Sequence, residues 1–380
     1  MDLLQMRELL NDIDLQLVGL FSKRMNTASA IAEYKMQHNM PVVDSARERE
    51  ILNRVAELSG ETLEQYTKRL FYTLFDLSRS YQGQLFSHDS LLAKEIEAAT
   101  LDLKTLFPSK ATVACQGTEG SYSQQASEKL FSLPNLIFFN SFDDVFQAVE
   151  KGLCEFGVLP VENSLAGTVV AVYDLMKKHK FHIVRSVKLG INHTLLANKG
   201  VDFNNIKEIV SHEQAINQCS EFLKAHPQIK VTVFSNTAAA ANYVAKTGRS
   251  DLAAISSRHC AEIYNLNILS NNIQNRDNNY TRFICISKRM KIFPGANKIS
   301  LMLSIPHKPG SLYTVIAKFA SLGFNLTKLE SRPIVGRDFE FMFYFDFEAS
   351  IYLKETVNLL CELQSSLEQF VFLGSYSEID

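Results

Sequence analysis

Three cations share one apolar stripe near the N-terminus of this 380-residue chain. Steps of alternately three and four residues connect Arg7, Arg24 and Lys35 through positions that are mainly leucine, isoleucine, alanine and phenylalanine. Burial of a charge without a partner costs several kcal/mol, so these cations must face acids, an anionic ligand or solvent. Long side chains that extend to solvent at the edge of the stripe are the competing interpretation.

Helix geometry decides which of these cations can share a ligand. At 1.5 Å per residue, Arg24 and Lys35 lie about 16 Å apart along the axis, and Arg7 lies roughly 25 Å from Arg24. A helix from about residue 2 to 38 is ~55 Å long, which predicts that it packs against its counterpart in a second chain. Antiparallel pairing would bring Arg7 to the partner's site.

Two further polar groups belong to the same helical region. Asp44, Arg47 and Glu48 follow Pro41 and fall on one face of a second helix by their spacing. Ser80 and Gln84 lie one turn apart on an apolar stripe near the end of a third helix, where each needs a hydrogen-bonding partner.

Polar clusters also mark the ends of short strands between about residues 111 and 287. They comprise 117–123, 160–164 with 167–168, 211–214 and 235–237. Ser, Thr and Asn at such positions cap helices, and free amides at helix N-termini bind anions. The chain contains neither the GxGxxG nor the GxxxxGK[ST] pattern, so nucleotide binding has little support.

The pattern of apolar and turn residues changes along the chain, and these changes predict the order of the domains. Residues 1–90 form a helical module, 91–110 a linker, and 111–287 an α/β domain. After Pro294 and Gly295, residues 298–376 have a β-α-β-β-α-β pattern. We expect this last module to be separable, so that removal of 298–380 leaves the catalytic core intact.

Composition excludes several classes of protein. Lys plus Arg (39) nearly balances Asp plus Glu (41), which argues against nucleic-acid or membrane partners and favours small molecules. No apolar run reaches the length of a membrane helix, and the acidic N-terminus does not resemble a secretory signal. Six scattered cysteines predict reduced core thiols in a cytoplasmic protein. No cofactor or metal is expected, because His179 and His182 lack acidic or thiol companions nearby in sequence.

Residues 1–86 resemble the AroQ-type chorismate mutase domain, which is all-α. The resemblance implies a pocket of Arg7, Arg24, Lys35, Asp44, Arg47, Glu48, Ser80 and Gln84. In that family Arg7 comes from the partner chain and holds substrate carboxylates together with Arg24. Glu48, helped by Asp44, takes the ring hydroxyl, while Lys35 and Gln84 donate to the ether oxygen. A Claisen rearrangement needs only a folded dianion and donors to the growing oxyanion, each worth about 2.7 to 4 kcal/mol.

The strings GTEGSYS, PVENSLAG, NHTLL, SHEQAINQC and NYTRF resemble the prephenate dehydratase domain. The resemblance implies two α/β lobes with a cleft, like a periplasmic solute-binding protein. It assigns the cleft to Ser123, Glu162, Asn163, Ser211, Gln218, Thr281 and Arg282. The resemblance makes Thr281 the central catalytic residue, and we expect it to orient or relay a proton in a network with Glu162 or water.

The segment GSLYTVIAKFASLGFNLTKLESRP resembles the ACT regulatory domain, an α+β ferredoxin-like fold. The resemblance implies that phenylalanine is the regulatory ligand. It assigns the ligand loop to Gly310, Ser311 and Leu312, and further contacts to Asn325, Leu326, Glu330, Ser331 and Arg332. Asn325 and Leu326 are expected at the interface with a second chain.

The order of the three modules resembles the bifunctional chorismate mutase/prephenate dehydratase family. That family converts chorismate into prephenate and then phenylpyruvate, is inhibited by phenylalanine, and forms homodimers or higher homo-oligomers. Two alternatives stay open: a metabolite sensor that binds aromatic acids without turnover, and an enzyme that has kept one activity.

Overall fold

The computed structural model describes residues 2–38, 44–86, 90–101, 106–334 and 340–380. The chain divides into two compact units, each with its own internal packing. The first unit comprises Met1–Glu95, Met302–Tyr344 and Ile351–Val371. The second unit comprises Ile96–Leu301, Phe345–Ser350 and Phe372–Asp380.

The N-terminal part of the chain is helical, as the spacing of its apolar residues predicts. The helices are α1 (Leu3–Gln37), α2 (Ser45–Phe86) and α3 (Leu91–Leu101). The backbone of α2 leaves the helical region at Gly60, with φ 69° and ψ 166°, so α2 consists of two successive helices. Helix α1 packs along α2, and Ala32 and Phe75 are buried there.

The α/β region contains two sheets, both within the second unit. Its elements follow in the order β1 (Lys110–Gln116), α4 (Tyr122–Leu130), β2 (Leu133–Phe139), α5 (Phe142–Glu150), β3 (Phe156–Asn163), β4 (Gly167–Thr168), α6 (Val170–Met176), β5 (His182–Gly190), β6 (Thr194–Ala197), β7 (Glu208–His212), α7 (Glu213–Gln218), α8 (Ser220–Lys224), β8 (Lys230–Phe234), α9 (Thr237–Thr247), β9 (Leu252–Ser256), α10 (Arg258–Ile263), β10 (Asn267–Ser270) and β11 (Tyr280–Ser287).

The C-terminal elements have the predicted β-α-β-β-α-β order and form a four-stranded sheet. They are β12 (Lys298–Ser304), α11 (Ser311–Ser321), β13 (Asn325–Pro333), β14 (Phe341–Glu348), α12 (Lys354–Ser366) and β15 (Phe370–Tyr376), followed by β16 (Glu378–Ile379). The sheet order is β13-β14-β12-β15, which leaves β13 at an edge.

The larger sheet of the α/β region has the order β16-β5-β11-β3-β1-β2, with β4 paired to β3. Strand β11 therefore lies between β5 and β3, antiparallel to both. The hydrophobic core beside this sheet includes Phe131, Phe156 and Val158, which are almost fully buried. The second sheet has the order β10-β6-β9-β7-β8, and α9 packs against β9.

The C-terminal end of the chain completes the larger sheet. Strand β16 pairs in parallel with β5, with Glu378 opposite Ser186 and Ile379 opposite Val187. The end of the chain therefore belongs to the α/β sheet, whereas the sequence analysis predicted that a separate module begins at residue 298. A two-residue strand carries no periodic signal, and its pairing with β5 covers an edge that would otherwise expose unpaired backbone groups.

Three general features bear on the class of protein. All six cysteines are buried. Within the described ranges, no helix has both the length and the apolar character needed to cross a membrane. The same ranges contain no group of three or more His, Cys, Asp or Glu side chains that could hold a metal ion.

Candidate active site

A cavity of about 410 Å³ opens within the second unit, where residues of both α/β sheets meet. Four of the residues that the sequence predicted for the dehydratase cleft line it: Ser123, Asn163, Gln218 and Thr281. They come from α4, β3, α7 and β11, so the site exists only when the two sheets are assembled.

Thr281 is held by its neighbour across the paired strands β3 and β11. The side-chain amide of Asn163 donates through Nδ2 to Thr281 Oγ1 at 2.9 Å. Asn163 is fixed in turn, because its Oδ1 accepts from the backbone N–H groups of Leu165 at 3.1 Å and Ala166 at 2.9 Å. Since one lone pair of Oγ1 is occupied by this bond, the hydroxyl proton of Thr281 remains available to a ligand in the cavity.

Gln218 has its amide orientation set by two donors. Its Oε1 accepts from His193 Nε2 at 2.8 Å and from Asn279 Nδ2 at 3.0 Å. Asn163 Nδ2 also donates to Asn279 Oδ1 at 2.8 Å, which connects Gln218 to the Thr281 network. Gln218 Nε2 is buried without a hydrogen-bond partner in the part of the chain that the structure describes.

His193 is a neutral member of this network. Burial lowers the pKa of His193, and its bond to Gln218 opposes that effect in part. A neutral imidazole that donates from Nε2 carries its lone pair on Nδ1. His193 Nδ1 is also buried and without a partner among the described residues, so the cavity contains both an acceptor and an unused amide donor.

Two helices, α4 and α9, begin at the cavity. Ser121 caps α4 by accepting from Gln124 N, and Asn236 caps α9 by accepting from Ala239 N. Ser121 and Asn236 both line the cavity. Two of the polar clusters in the sequence are therefore ordinary caps that also bring a positive helix end to the site, where an anion is favoured.

Three predicted residues lie away from the cavity lining in the described chain. Ser211 is fully buried, and its hydroxyl donates to the carbonyl of Ile255 at 2.7 Å. Glu162 and Arg282 are opposite each other in the β3/β11 register, one position from Asn163 and Thr281. Side chains alternate along strands, and the neighbour that donates to Thr281 is Asn163, whereas the sequence analysis expected a network with Glu162 or water.

The residues that sequence reasoning missed are His193 and Asn279. His193 belongs to the string NHTLL, which marked the family but did not single out its histidine. Asn279 precedes the NYTRF threonine by two positions, and only the folded backbone shows that it reaches Gln218.

In the first unit, Arg24 is directed at α2. Its Nη1 donates to the carbonyl of Leu74 at 3.0 Å and to Ser78 Oγ, and its guanidinium lies 5.8 Å from the centre of the Phe75 ring. Burial lowers the pKa of Arg24. Lys35, near the end of the same helix, is partly exposed.

The other predicted mutase residues contact neighbours on α2 or are exposed, and the described contacts do not join them to Arg24. Glu48 forms an ion pair with Arg79, a residue that the sequence analysis did not select. Asp44 Oδ1 accepts from the Arg47 backbone N–H at 3.0 Å, and Arg47 pairs with Glu50. Arg7 is exposed on α1. The side chains of Ser80 and Gln84 lie outside the described part of the structure.

A separate cavity of about 430 Å³ adjoins the start of α11 in the first unit. Ile305, Pro306, Ser311 and Leu312 line it together with the rings of Phe341 and Phe343. Gly310 precedes α11 with φ 84°, and no atom of the described residues lies within 4 Å of the position that a Cβ would occupy there. The predicted contacts Asn325, Leu326, Glu330, Ser331 and Arg332 lie along β13 and are not among the residues that line this cavity.

Two regions of the chain match models of known protein families. Residues 113–291 match the family described as Prephenate dehydratase, and residues 6–83 match Chorismate mutase type II. The matched regions contain the α/β cavity and the N-terminal helices, respectively.

Similar proteins cover most of the chain. The bifunctional chorismate mutase/prephenate dehydratase of Buchnera aphidicola subsp. Schizaphis graminum is 31% identical over 99% of this chain and 96% of its own length. The chloroplastic arogenate dehydratase/prephenate dehydratase 2 of Arabidopsis thaliana is 37% identical over 77% of this chain and 80% of its own. The solved prephenate dehydratase of Arthrobacter aurescens in complex with L-Phe is 28% identical, with a TM-score of 0.64 over 70% of this chain and 89% of that one.

These findings define a two-part enzyme, with a helical mutase region followed by an α/β dehydratase region. The chain belongs to the bifunctional chorismate mutase/prephenate dehydratase family.

Proposed function

We propose that this protein converts chorismate into prephenate in its helical region and prephenate into phenylpyruvate in the α/β cavity. The observation that carries the proposal is the Asn163–Thr281 bond in a cavity that also holds Gln218 Nε2, a donor without a partner among the described residues. A site for a dianion needs anion-binding groups and one hydroxyl donor, and this cavity has both.

The dehydratase step needs little covalent help from the protein. The C–C bond to the ring carboxylate breaks, and its electron pair completes the aromatic ring as carbon dioxide departs. The C4–O bond breaks with its electrons on oxygen, which takes up a proton and leaves as water. Thr281 donates its hydroxyl hydrogen to that oxygen and takes up a proton from water in the same step, so water is the net acid and the hydroxyl is regenerated. The bond from Asn163 Nδ2 to Oγ1 directs the hydroxyl hydrogen away from Asn163.

The remaining cavity groups bind and orient the substrate. Gln218 Nε2 donates to a substrate carboxylate or carbonyl oxygen, with His193 and Asn279 holding the amide in that orientation. The N-termini of α4 and α9 favour the substrate's negative charge. His193 stays neutral and accepts from the substrate through Nδ1.

The mutase site is shared between two chains. Helix α1 has 35 residues and therefore spans about 52 Å, and it exposes a series of large apolar side chains that include Leu3, Leu9, Leu10, Ile13 and Leu17. A second copy of the chain buries this face and brings its Arg7 to Arg24 and Lys35. The protein is thus a homodimer or a higher homo-oligomer.

Phenylalanine regulates the enzyme through the ACT-like C-terminal sheet. The cavity beside α11 offers the rings of Phe341 and Phe343 to a phenyl side chain, and the backbone at Gly310 is open to an amino acid. The solved Arthrobacter relative is a complex with L-Phe. The proposal places the enzyme in the cytoplasm, in agreement with its six buried thiols.

Assays of the purified full chain with chorismate, prephenate and arogenate test these activities. We expect prephenate from chorismate and phenylpyruvate from prephenate, with arogenate the poorer substrate. Binding of prephenate without turnover would make the protein a sensor, and faster turnover of arogenate would reassign the dehydratase substrate.

Regulation is tested with Gly310→Val and a matched control. Valine is strained at the positive φ of Gly310, and its methyl groups enter the space beside the ligand loop. Gly323→Val has the same kind of strain, at φ 72° and with open space, but at the other end of α11. Loss of phenylalanine inhibition in Gly310→Val alone supports the assignment, and unchanged inhibition in a folded Gly310→Val protein contradicts it.

A further inference from the structure

Arg282 follows Thr281 in β11 and forms a buried ion pair with Asp346 of β14. Its Nη2 donates to Asp346 Oδ2, and the two side chains are only 15% and 7% exposed. The sequence assigned Arg282 to the substrate, but its guanidinium is committed to a carboxylate more than sixty residues further along the chain. Both residues belong to the second unit.

Asp346 is held by a chain of hydroxyl groups. Ser300 Oγ donates to Asp346 Oδ1 at 2.5 Å, and Tyr376 Oη lies 2.7 Å from Ser300 Oγ. A carboxylate only accepts, so the single hydroxyl proton of Ser300 goes to Asp346 and Tyr376 must donate to Ser300. Burial raises the pKa of Tyr376, which keeps this donor protonated. Strands β12, β14 and β15 each contribute one residue to this chain.

The strand pairing is irregular beside Arg282, where a side-chain contact can fix the backbone. In the pairing of β11 with β3, Thr281 lies opposite Asn163 and Arg282 opposite Glu162, and the register then shifts between Arg282 and Phe283. Such a bulge interrupts the regular hydrogen bonds of the ladder and re-aims the adjacent side chains. Thr281 is the residue immediately before that irregular position.

We propose that Asp346 is a positioning residue for the dehydratase, acting through Arg282 on the bulge that places Thr281 Oγ1 against Asn163 Nδ2. The proposal rests on the proposed function of the cavity. It gives a carboxylate in the C-terminal sheet a role in dehydration, although Asp346 does not line the cavity. Loss of the carboxylate leaves a buried arginine charge without its partner and releases the strand at the bulge.

A double-mutant cycle of Asp346→Asn and Thr281→Ser in the full chain tests this role. Asp346→Asn should lower kcat for prephenate on the order of 10- to 100-fold, because a small displacement of a catalytic group is that costly, while KM changes little. If Asp346 acts through Thr281, the double variant should lose little more than the more damaging single variant. Thermal unfolding of the same samples, followed by circular dichroism, reports whether the second unit is folded, and mutase activity reports the same for the first unit.

Glu378→Gln is the matched control. It breaks the Lys298–Glu378 ion pair, which joins β12 to β16 at 2.5 Å with side chains 15% and 17% exposed. This pair is nearly as buried as the Arg282 pair. Glu378 attracts the Arg282 charge but makes no hydrogen bond with Arg282 or Thr281 among the described residues, so the control removes a nearby carboxylate and keeps the direct Arg282–Asp346 contact. We expect Glu378→Gln to change kcat by less than about threefold. In the double variant with Thr281→Ser, the two reductions of kcat should multiply, as for independent sites.

Two results overturn the proposal. In the first, the reduction of kcat in the double variant equals the product of the reductions in Asp346→Asn and Thr281→Ser, while the unmodified chain turns over prephenate. In the second, the Asp346→Asn protein has an unchanged kcat. A chain without any prephenate turnover removes the proposed function as well. If Asp346→Asn fails to fold, Arg282→Lys and Asp346→Glu carry the same cycle, because each keeps the charge pair and changes only its geometry.

Discussion

Asn163 and Thr281 face each other across β3 and β11, and the amide of Asn163 donates to the hydroxyl oxygen of Thr281 at 2.9 Å. This direction of donation leaves the hydroxyl proton of Thr281 available toward the cavity. The same amide reaches Asn279, so the hydroxyl that we propose as catalytic and the Gln218 amide that we propose to bind substrate belong to one network.

Asn163→Asp reverses that direction. The carboxylate that replaces the amide can only accept, so the hydroxyl proton of Thr281 turns toward residue 163 and away from the substrate. Loss of one well-placed donor costs on the order of 100- to 1,000-fold in kcat. Steady-state kinetics with prephenate measure the loss, and unchanged mutase activity is the control. An Asn163→Asp protein with kcat near that of the unmodified chain would show that the donation is unimportant.

Gln218→Glu tests the binding role of the cavity amide. Glutamate has nearly the same shape and still accepts from His193 and Asn279, but it replaces the Nε2 donor with a carboxylate oxygen. Repulsion of the substrate dianion should raise KM for prephenate by about tenfold or more, the equivalent of roughly 1.4 kcal/mol. Equal KM values for Gln218→Glu and the unmodified chain would place the substrate carboxylates elsewhere.

His193→Gln should make the protein less sensitive to acid. The folded-state pKa of His193 lies below its ordinary value because of burial, so the unfolded chain takes up a proton first as the pH falls. The free energy of unfolding is therefore unaffected by this group above about pH 6.5 and decreases below it, by at most ~1.4 kcal/mol per pH unit. Glutamine keeps a donor to Gln218 and does not titrate.

The measurement is the difference in the free energy of unfolding between pH 7 and pH 5 for the two proteins. His182→Gln is the matched control, because burial also lowers the pKa of His182. Both variants should flatten the stability profile, but only His193→Gln should change KM for prephenate. A steeper decline of stability in His193→Gln than in the unmodified chain contradicts the assignment.

Arg7→Ala and Arg24→Ala test the shared mutase site. Each variant alone should be nearly inactive as a mutase, because each removes one cation from every site. After the two proteins are unfolded and refolded together, mixed dimers should contain one site with both arginines and recover about half of the activity per dimer. Mixed dimers confirmed by mass, with no recovered mutase activity, would contradict a site that is shared between two chains.

The sequence predicted the helical region, the α/β region and the C-terminal β-α-β-β-α-β order, because each depends on local periodicity and turn residues. The division of the α/β region into two lobes came from the resemblance to prephenate dehydratase. The resemblance of short strings to prephenate dehydratase also predicted Thr281, Asn163, Gln218 and Ser123 for the cleft, and all four line the cavity. What the sequence could not show were relationships made by folding alone. The bond from His193 to Gln218 and the pair of Arg282 with Asp346 join residues on different strands and helices.

The expected separability of the C-terminal module is the clearest difference. Removal of residues 298–380 would take away β16 from the edge of β5 and would leave Arg282 buried without Asp346. We therefore expect that truncation to lose stability and dehydratase activity together, whereas Gly310→Val changes the regulatory loop and leaves the sheet intact.

Prephenate accumulation in a Thr281→Ala protein supplied with chorismate tests the central claim most directly. The claim is that one chain carries two successive activities in separate sites, with the hydroxyl of Thr281 required only for the second. At neutral pH, Thr281→Ala should consume chorismate at the rate of the unmodified chain and accumulate prephenate, while the unmodified chain forms phenylpyruvate. Phenylpyruvate formation at an unchanged rate in Thr281→Ala, or loss of chorismate consumption in a folded Thr281→Ala protein, would contradict the account.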